Sequence, residues 1–186
     1  MMPDLPDDDY LALRRILQEG LLVPVFQPII DIRVRAILGY EALIRGPQGR
    51  LHLPDQLFAA AQRSGIALEL EHACRNVSLR AFSRLGLVGR LFLNATPACL
   101  LEPALQNGET QALLRELGLP PNRIVLELTE NQQITDLPGI HEALMHYRGR
   151  GFQIAIDDLG EGFANLRMWS ELRPEFVKID KHFIQN

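Results

Sequence analysis

The chain has 186 residues, and its 19 basic and 23 acidic side chains give a formal net charge of −4 at pH 7. Hydrophobic residues make up 47% and charged residues 23% of the sequence, which excludes a disordered or fibrous chain. The mildly acidic charge argues against a nonspecific DNA or RNA coat. Since the sequence shows neither a signal peptide nor an apolar run of about 20 residues, we expect a cytoplasmic protein without direct membrane contact.

The first half of the chain predicts one helix, a pair of strands and two further helices. Apolar residues at helical spacing predict a lead-in helix over Asp9–Gly20. Two extended apolar runs follow, Leu22–Ile30 and Arg35–Arg45, and the short gap between them predicts a hairpin. The prolines of the first run favour an edge or barrel-rim strand over a central one. The next two predicted helices are each followed by a glycine and cover Leu53–Ser64 and Ala67–Leu85.

In the second half of the chain, short apolar strands alternate with helices. The predicted strands are Arg90–Asn94, Arg123–Leu128, Phe152–Ile156 and Phe176–Ile179. The predicted helices are Thr110–Leu117, Gly139–Arg148 and Ala164–Leu172. Continuous apolar strands that alternate with helices are typical of a parallel sheet covered on both faces. The sequence therefore predicts an α/β fold.

Polar residues lie within or directly after several of these apolar strands. They are Glu41, Asn94, Glu127, Asp157, Asp158 and Lys178. Burying an unpaired charge costs several kcal/mol, so such groups need a compensating partner, often a metal ion. The carboxyl ends of parallel strands share one face of a (β/α) sheet, which is where barrel enzymes hold their active sites. We therefore expect these six side chains to lie together at the carboxyl ends of the strands.

This set of residues offers carboxylate and amide oxygens as ligands and contains no Cys or His. Such a set suits Mg²⁺ or Mn²⁺ rather than Zn²⁺. The adjacent Asp157 and Asp158 would allow one carboxylate to bridge two ions, and two-metal sites suit phosphodiester hydrolysis. Lys178 would orient the water or stabilise phosphate charge. The alternative for each residue alone is a structural ion pair, and Lys178 could equally pair with Asp158 or Asp180. Four arginines are interpreted as solvated surface: Arg33, Arg35, Arg148 and Arg150.

The motifs around these residues resemble the EAL domain, the bacterial cyclic di-GMP phosphodiesterase family. Tyr40–Arg45 resembles the family signature, and Phe26–Ile29 precedes it as in the family. The remaining motifs follow in family order and are Phe92–Asn94, Leu126–Glu130, Ile156–Gly160 and Val177–Asp180. The resemblance extends from about Leu21 to the C-terminus.

The resemblance implies a TIM-like (β/α) barrel of the EAL type with an antiparallel first strand. It divides the chain into residues 1–20, an N-terminal tail and lead-in helix, and residues 21–186, the EAL domain. A complete (β/α)₈ barrel takes at least about 200 residues, so we expect about six of the eight strands, without the last two. Open sheet edges need cover, and we expect a partner chain, as in a homodimer, to supply it.

The resemblance also implies a role for each matching residue. The ligands of a first metal ion would be Glu41, Asn94, Glu127 and Asp157. Asp157 would bridge to a second ion, which Asp158 would also bind. The residues that hold the nucleotide and its phosphate would be Gln27, Leu43, Arg45 and Asp158. The catalytic residues would be Glu41, Asp158 and Lys178. Glu130 would anchor the loop that follows the aspartate pair.

The implied activity is hydrolysis of cyclic di-GMP to linear pGpG with two Mg²⁺ or Mn²⁺ ions and inhibition by Ca²⁺. Without the last two strands, we expect weak or no activity from this chain. Three alternatives stay open: a catalytically silent cyclic di-GMP receptor, a regulatory fragment that binds no nucleotide, and an unrelated Mg²⁺ barrel enzyme of the enolase type. A longer parent protein could carry a sensor or diguanylate cyclase domain.

Overall fold

The computed structural model describes residues 8–102, 108–128, 136–159 and 169–179, apart from the side chains of Asp158 and Leu159. Within these ranges no helix combines the length and the apolar character needed to cross a membrane. The chain divides into two compact units. The first unit comprises Met1–Gln27 and Ala42–Gly86, and the second comprises Pro28–Glu41 and Leu87–Asn186.

Six strands form one sheet in which the spatial order follows the chain order, β1-β2-β3-β4-β5-β6. Their bounds are Val23–Asp31, Ala36–Arg45, Arg90–Ala95, Ile124–Leu128, Gln153–Leu159 and Phe176–Ile179. β1 runs antiparallel to β2, whereas β3, β4, β5 and β6 are parallel. The predicted hairpin, the edge position of the proline-bearing strand and the α/β class are thus confirmed.

The described helices precede the first strand or lie in the connections that follow β2. In chain order α1 to α6 are Asp8–Glu19, Pro54–Arg63, Ala67–Arg84, Pro97–Leu101, Glu109–Glu116 and Leu137–Gly149. Residues 121–123 form a 3₁₀ turn, and residues 169–172 are helical. The rest of the helix predicted over Ala164–Leu172 lies outside the described residues.

The short helix α4 is absent from the sequence prediction. The Thr96 side chain caps it by accepting a hydrogen bond from the Cys99 backbone N–H at 3.2 Å, and Pro97 occupies the first helical position. A Thr-Pro pair after an apolar strand is a helix-start signal, so the sequence contained the evidence for this turn.

In the first unit, α1 packs on α2 and α3 through a core that includes Leu13, Ile16, Leu57 and Leu70. Asp9 is buried at the start of α1 and forms ion pairs with Arg50 and, at 2.8 Å, with Arg63. The hydrogen bonds that Arg50 and Arg63 donate hold the pKa of Asp9 below its usual value, and the bond from Arg50 has the larger effect. A buried carboxylate thus attaches the lead-in helix to its neighbours.

In the second unit, one face of the sheet carries an apolar layer beneath the polar strand ends. Phe92, Val125 and Ala155 are buried in this layer, and Phe176 packs against them. The rings of Phe92 and Phe176 meet edge to face at a centroid distance of 5.3 Å. Arg90 stacks its guanidinium group over the Phe176 ring at 5.4 Å. The polar residues at the strand ends therefore rest on a closely packed floor.

We expect Asp9→Asn to lower the midpoint of thermal unfolding at pH 7, because the two arginines lose their anionic partner. The pKa of Asp9 is lowered in the folded state, so its stabilisation is present above the ordinary carboxyl pKa of about 4 and is lost as the pH falls through the folded-state pKa. The gap between wild type and variant should therefore shrink from pH 7 to pH 3 in scanning calorimetry. Asp8→Asn, at the exposed neighbouring position, is the matched control, and a gap independent of pH would contradict this account.

Candidate functional site

Three carboxylates from three strands of the second unit surround one lysine. Oxygens of Glu41 on β2, Glu127 on β4 and Asp157 on β5 all lie within 4.8 Å of one another. The Nζ atom of Lys178 on β6 is 3.0 Å from Glu41 Oε2, 2.9 Å from Asp157 Oδ2 and 3.4 Å from Glu127 Oε1. We refer to Glu41, Glu127 and Asp157 as the carboxylate cluster. Lys178 is therefore paired with all three members of the cluster, while the side chain of Asp158 and residue Asp180 lie outside the described residues.

The parallel register explains why these side chains share one face. Asn94, Glu127, Ala155 and Phe176 occupy matching positions on β3, β4, β5 and β6. Residues paired in register point to the same face of a sheet, and so do residues two apart on one strand. Asp157 follows Ala155 by two positions, and Lys178 follows Phe176 by two. Both therefore lie one layer above the apolar floor.

The aspartate pair lies at an irregularity in the pairing of β5 with β6. Ile156 pairs with Val177, but the next pair is Leu159 with Ile179, so β5 contains one extra residue between them. Such a bulge sets two residues of one strand against one residue of its neighbour and re-aims side chains. Here the two aspartates oppose Lys178. The strand predicted to end at Ile156 consequently continues through both aspartates to Leu159.

A glycine allows β2 to bring Glu41 to the site. A Cβ atom at Gly39 would overlap the backbone carbonyl group of Arg90 at the start of β3. Only glycine permits this close approach of two backbones without a shift of one of them. Two residues further along β2, Glu41 contacts Lys178. Gly39, the residue directly before the Tyr40–Arg45 motif, thus has a structural role in placing the glutamate of that motif.

Glu127 is the most deeply buried member of the cluster. Its side chain is 0% exposed, and neither carboxylate oxygen has a hydrogen-bond partner among the residues that the structure describes. Burial raises the pKa of Glu127 to about 8; Lys178 opposes this shift, whereas the charges of Glu41 and Asp157 add to it. For Lys178, burial lowers the pKa, but the cluster outweighs burial and raises it above its usual value.

The cluster has more negative charge than its lysine can balance. The three carboxylates and one ammonium group carry a net charge of −2 (−3 + 1) when Glu127 is ionised and −1 (−2 + 1) when Glu127 holds a proton, at a largely buried position. Buried charge without compensation is costly, and a divalent cation would supply the missing charge and bind the Glu127 oxygens, which have no hydrogen-bond partner among the described residues. The arrangement can therefore hold a hard cation and present a lysine beside it.

The other predicted site residues are placed as follows. Asn94 is an exposed residue of β3 in register with Glu127, on the face that carries the cluster. Gln27 on β1 and Leu43 and Arg45 on β2 belong to the first unit. There Gln27 is exposed, while Leu43 and Arg45 are half-buried. Glu130 and the side chain of Asp158 lie outside the described residues.

The prediction that Arg148 is solvated surface is wrong. Its side chain is 20% exposed and pairs with Glu175, which directly precedes β6. Neither residue was among the predicted site residues. The contact joins positions 27 residues apart, and the sequence alone does not show which distant positions meet. The only sequence signal was the placement of Glu175 after Arg173 and Pro174, at the start of the strand that carries Lys178.

A family model for the EAL domain matches residues 11–186. The chain belongs to the EAL domain family. A relative from Escherichia coli K12, "Probable cyclic di-GMP phosphodiesterase PdeI", is 32% identical over 183 residues, which cover 92% of this chain and 23% of the relative. The bifunctional diguanylate cyclase/cyclic di-GMP phosphodiesterase MucR of Pseudomonas aeruginosa is 30% identical over 184 residues, covering 92% of this chain and 26% of MucR. The chain thus spans about a quarter of these two proteins.

A solved structure of a phosphodiesterase has a fold similar to that of this chain. The PaMucR phosphodiesterase in complex with c-di-GMP superimposes with a TM-score of 0.81 and 26% identity. The match covers 96% of this chain and 74% of the PaMucR chain. The likeness confirms the predicted TIM-like (β/α) fold of the EAL type, with six strands present and the first one antiparallel.

In buffer with a chelator, we expect Glu127→Gln to raise the free energy of unfolding at pH 8. The folded-state pKa of about 8 exceeds the ordinary value of 4.5, so the folded protein holds a proton that the unfolded chain has released. Wild-type stability should therefore fall by up to about 1.4 kcal/mol per pH unit as the pH rises between these values.

The variant lacks this titrating group and should show the flatter pH profile in urea unfolding. Glu142→Gln, at an exposed position of α6, serves as the control and should follow the wild type. Parallel profiles for wild type and Glu127→Gln would contradict the assignment of a destabilising buried carboxylate.

Proposed function

We propose that this chain is the EAL domain of a phosphodiesterase that hydrolyses cyclic di-GMP to linear pGpG. The observation that carries the proposal is the carboxylate cluster around Lys178 at the ends of the strands. Three features support it together: membership of the EAL family, a relative named as a cyclic di-GMP phosphodiesterase, and a c-di-GMP complex of PaMucR.

The cluster fits the metal ions that the proposal requires. Glu127 has two buried oxygens without a described hydrogen-bond partner, and one lysine faces three carboxylates. Carboxylate and amide oxygens are ligands that Mg²⁺ and Mn²⁺ prefer. The residues that would hold a first ion are Glu41, Asn94, Glu127 and Asp157. Asp157 would bridge to a second ion with Asp158, and Ca²⁺ would occupy the same oxygens and inhibit.

When bound, such ions activate water and neutralise the negative charge that develops on the phosphate. The chain's own residues organise the rest of the reaction. Lys178 donates hydrogen bonds to Glu41 and Asp157 and so fixes the orientation of both carboxylates. Its side chain is 31% exposed, so its ammonium group also places a positive charge where a phosphate can approach. Glu127 lies at the base of the site and has no exposed surface, so water does not reach that base.

The net reaction adds one water molecule to one of the two phosphodiester groups. One P–O ester bond breaks, the water oxygen stays on phosphorus, and the released ribose oxygen takes a proton. We propose that Gln27, Leu43 and Arg45 hold the nucleotide and its phosphate, and that Glu130 anchors the loop after the aspartate pair. We assign Glu41, Asp158 and Lys178 as the catalytic residues.

We further propose that the chain acts as a homodimer in the cytoplasm. The name of MucR combines a diguanylate cyclase with a phosphodiesterase, and this chain matches only 26% of that protein. A diguanylate cyclase or sensor domain on a longer parent protein is therefore part of the proposal. The net charge of −4 supports a small phosphate ligand held by local cations and not a nucleic acid partner.

We expect this chain, incubated with cyclic di-GMP and Mn²⁺, to yield pGpG at a low rate that a chelator abolishes. Glu41→Gln removes both a proposed metal ligand and a partner of Lys178. The loss of rate should exceed the roughly 10–100-fold that removal of an outer-shell partner costs. Ion-exchange chromatography of the nucleotides is the measurement, with Glu142→Gln as the exposed control.

Turnover that survives Glu41→Gln would contradict the assigned site. Cyclic di-GMP that binds and remains intact would favour the catalytically silent receptor. A chain that neither binds nor hydrolyses the dinucleotide would contradict the proposed function.

A further inference from the structure

We infer that Arg148 and Glu175 are a positioning pair that sets the register of β6 and thereby holds Lys178 against the carboxylate cluster. We refer to the two residues as the Arg148–Glu175 clamp. The inference rests on the proposed function for its consequence in metal binding. The contacts on which it stands belong to the second unit and are independent of that function.

Arg148, in the last turn of α6, uses its whole guanidinium group to fix the segment that leads into β6. Its Nε donates to Glu175 Oε1 at 3.0 Å, and its Nη2 lies 3.3 Å from Glu175 Oε2. Nη1 also donates to the Leu172 carbonyl at 2.9 Å, and Nη2 to the Arg173 carbonyl at 2.6 Å. Only a planar fork with several donors can make these contacts at once, so lysine would not replace it.

Glu175 passes this anchoring on to the neighbouring strand. Its Oε2 accepts the backbone N–H of Ile154 at 2.8 Å, and its own backbone N–H donates to the Ile154 carbonyl at 3.0 Å. The side chain and the main chain of one residue are therefore both tied to the beginning of β5. This double contact fixes which residue of β6 faces which residue of β5.

The strand that the clamp fixes is short and irregularly paired with its neighbour. β6 has four residues, Phe176–Ile179, and is the last strand in the sheet order. Its pairing with β5 is interrupted by the bulge after Ile156. A slip of one residue would turn every side chain of a strand to the opposite face. Lys178 would then leave the cluster, and its three carboxylates would lose their cationic partner.

The alternative is that the clamp adds only a small amount of stability, as an exposed ion pair does at most. The two readings differ in where the effect of a substitution appears. A positioning role predicts a local change in β6 and at Lys178, whereas a merely stabilising role predicts one uniform loss across the fold. The sequence favours a clear readout, because Lys178 and Lys181 are the only lysines in the chain.

The test uses Arg148→Ala and Glu175→Gln in the full chain, the second of which keeps an oxygen for the Ile154 N–H. Arg14→Ala is the matched control, since it removes another partly exposed ion pair, with Glu69 at 2.7 Å in the first unit. Three quantities are measured in each protein. They are amide hydrogen exchange in β6 relative to β4, the rate of Lys178 acetylation by mass spectrometry, and the affinity for Mn²⁺.

We expect faster exchange confined to β6, faster acetylation of Lys178 and about a tenfold change in the affinity for Mn²⁺ in Arg148→Ala, the size of effect seen when a partner behind a metal ligand is lost. Glu175→Gln should shift all three in the same direction but less, and it carries the test if Arg148→Ala does not fold. Arg14→Ala should match the wild type.

Wild-type values for all three quantities in either folded clamp variant would overturn the inference. So would a uniform rise in exchange that β4 shares, because that pattern is a general loss of stability. If the wild type itself binds no Mn²⁺, the proposed metal centre fails. Exchange in β6 and the acetylation of Lys178 still decide the positioning role in that case.

Discussion

The buried contact between Lys178 and the three carboxylates is the constraint on which the site depends. Glu127 has no exposed surface. Its carboxyl group is therefore either ionised beside a cation or neutral with a bound proton. Lys178 supplies one positive charge to three carboxylates at 2.9–3.4 Å. Burial raises the pKa of Glu127, and the charges of Glu41 and Asp157 add to this shift. The excess of carboxylates over cations makes the site suitable for a divalent ion.

Two backbone features and one side-chain contact bring these four side chains together. Gly39 lets β2 approach β3 closely, and the extra residue in β5 sets the aspartate pair opposite Lys178. The rings of Phe92 and Phe176 form the apolar layer beneath the site. The Arg148–Glu175 contact then fixes the start of the short strand that carries the lysine. A site held by rigid strands and supporting contacts is ordered before any ligand arrives, which limits the cost of binding.

Much of this site was predictable because strand ends obey simple rules. Apolar runs that end in Asn94, Glu127 or the aspartate pair predicted both the strands and their common face. The bulge in β5 was not predictable, since its register depends on the pairing of β5 with β6. The roles of Arg148 and Glu175 escaped prediction because a charged residue at a helix end is usually solvated. Helix α4 was missed although Thr96 and Pro97 signalled it.

Proton release on Mn²⁺ binding tests the central claim most directly. Titration calorimetry at pH 7 in two buffers of different ionisation enthalpy gives the number of protons released. Because the pKa of Glu127 is raised to about 8, the account predicts release of nearly one proton per site at pH 7 and far less at pH 9. Glu127→Gln should abolish this pH-dependent release. Binding of Mn²⁺ without proton release at pH 7, or release that persists in the variant, would contradict the account.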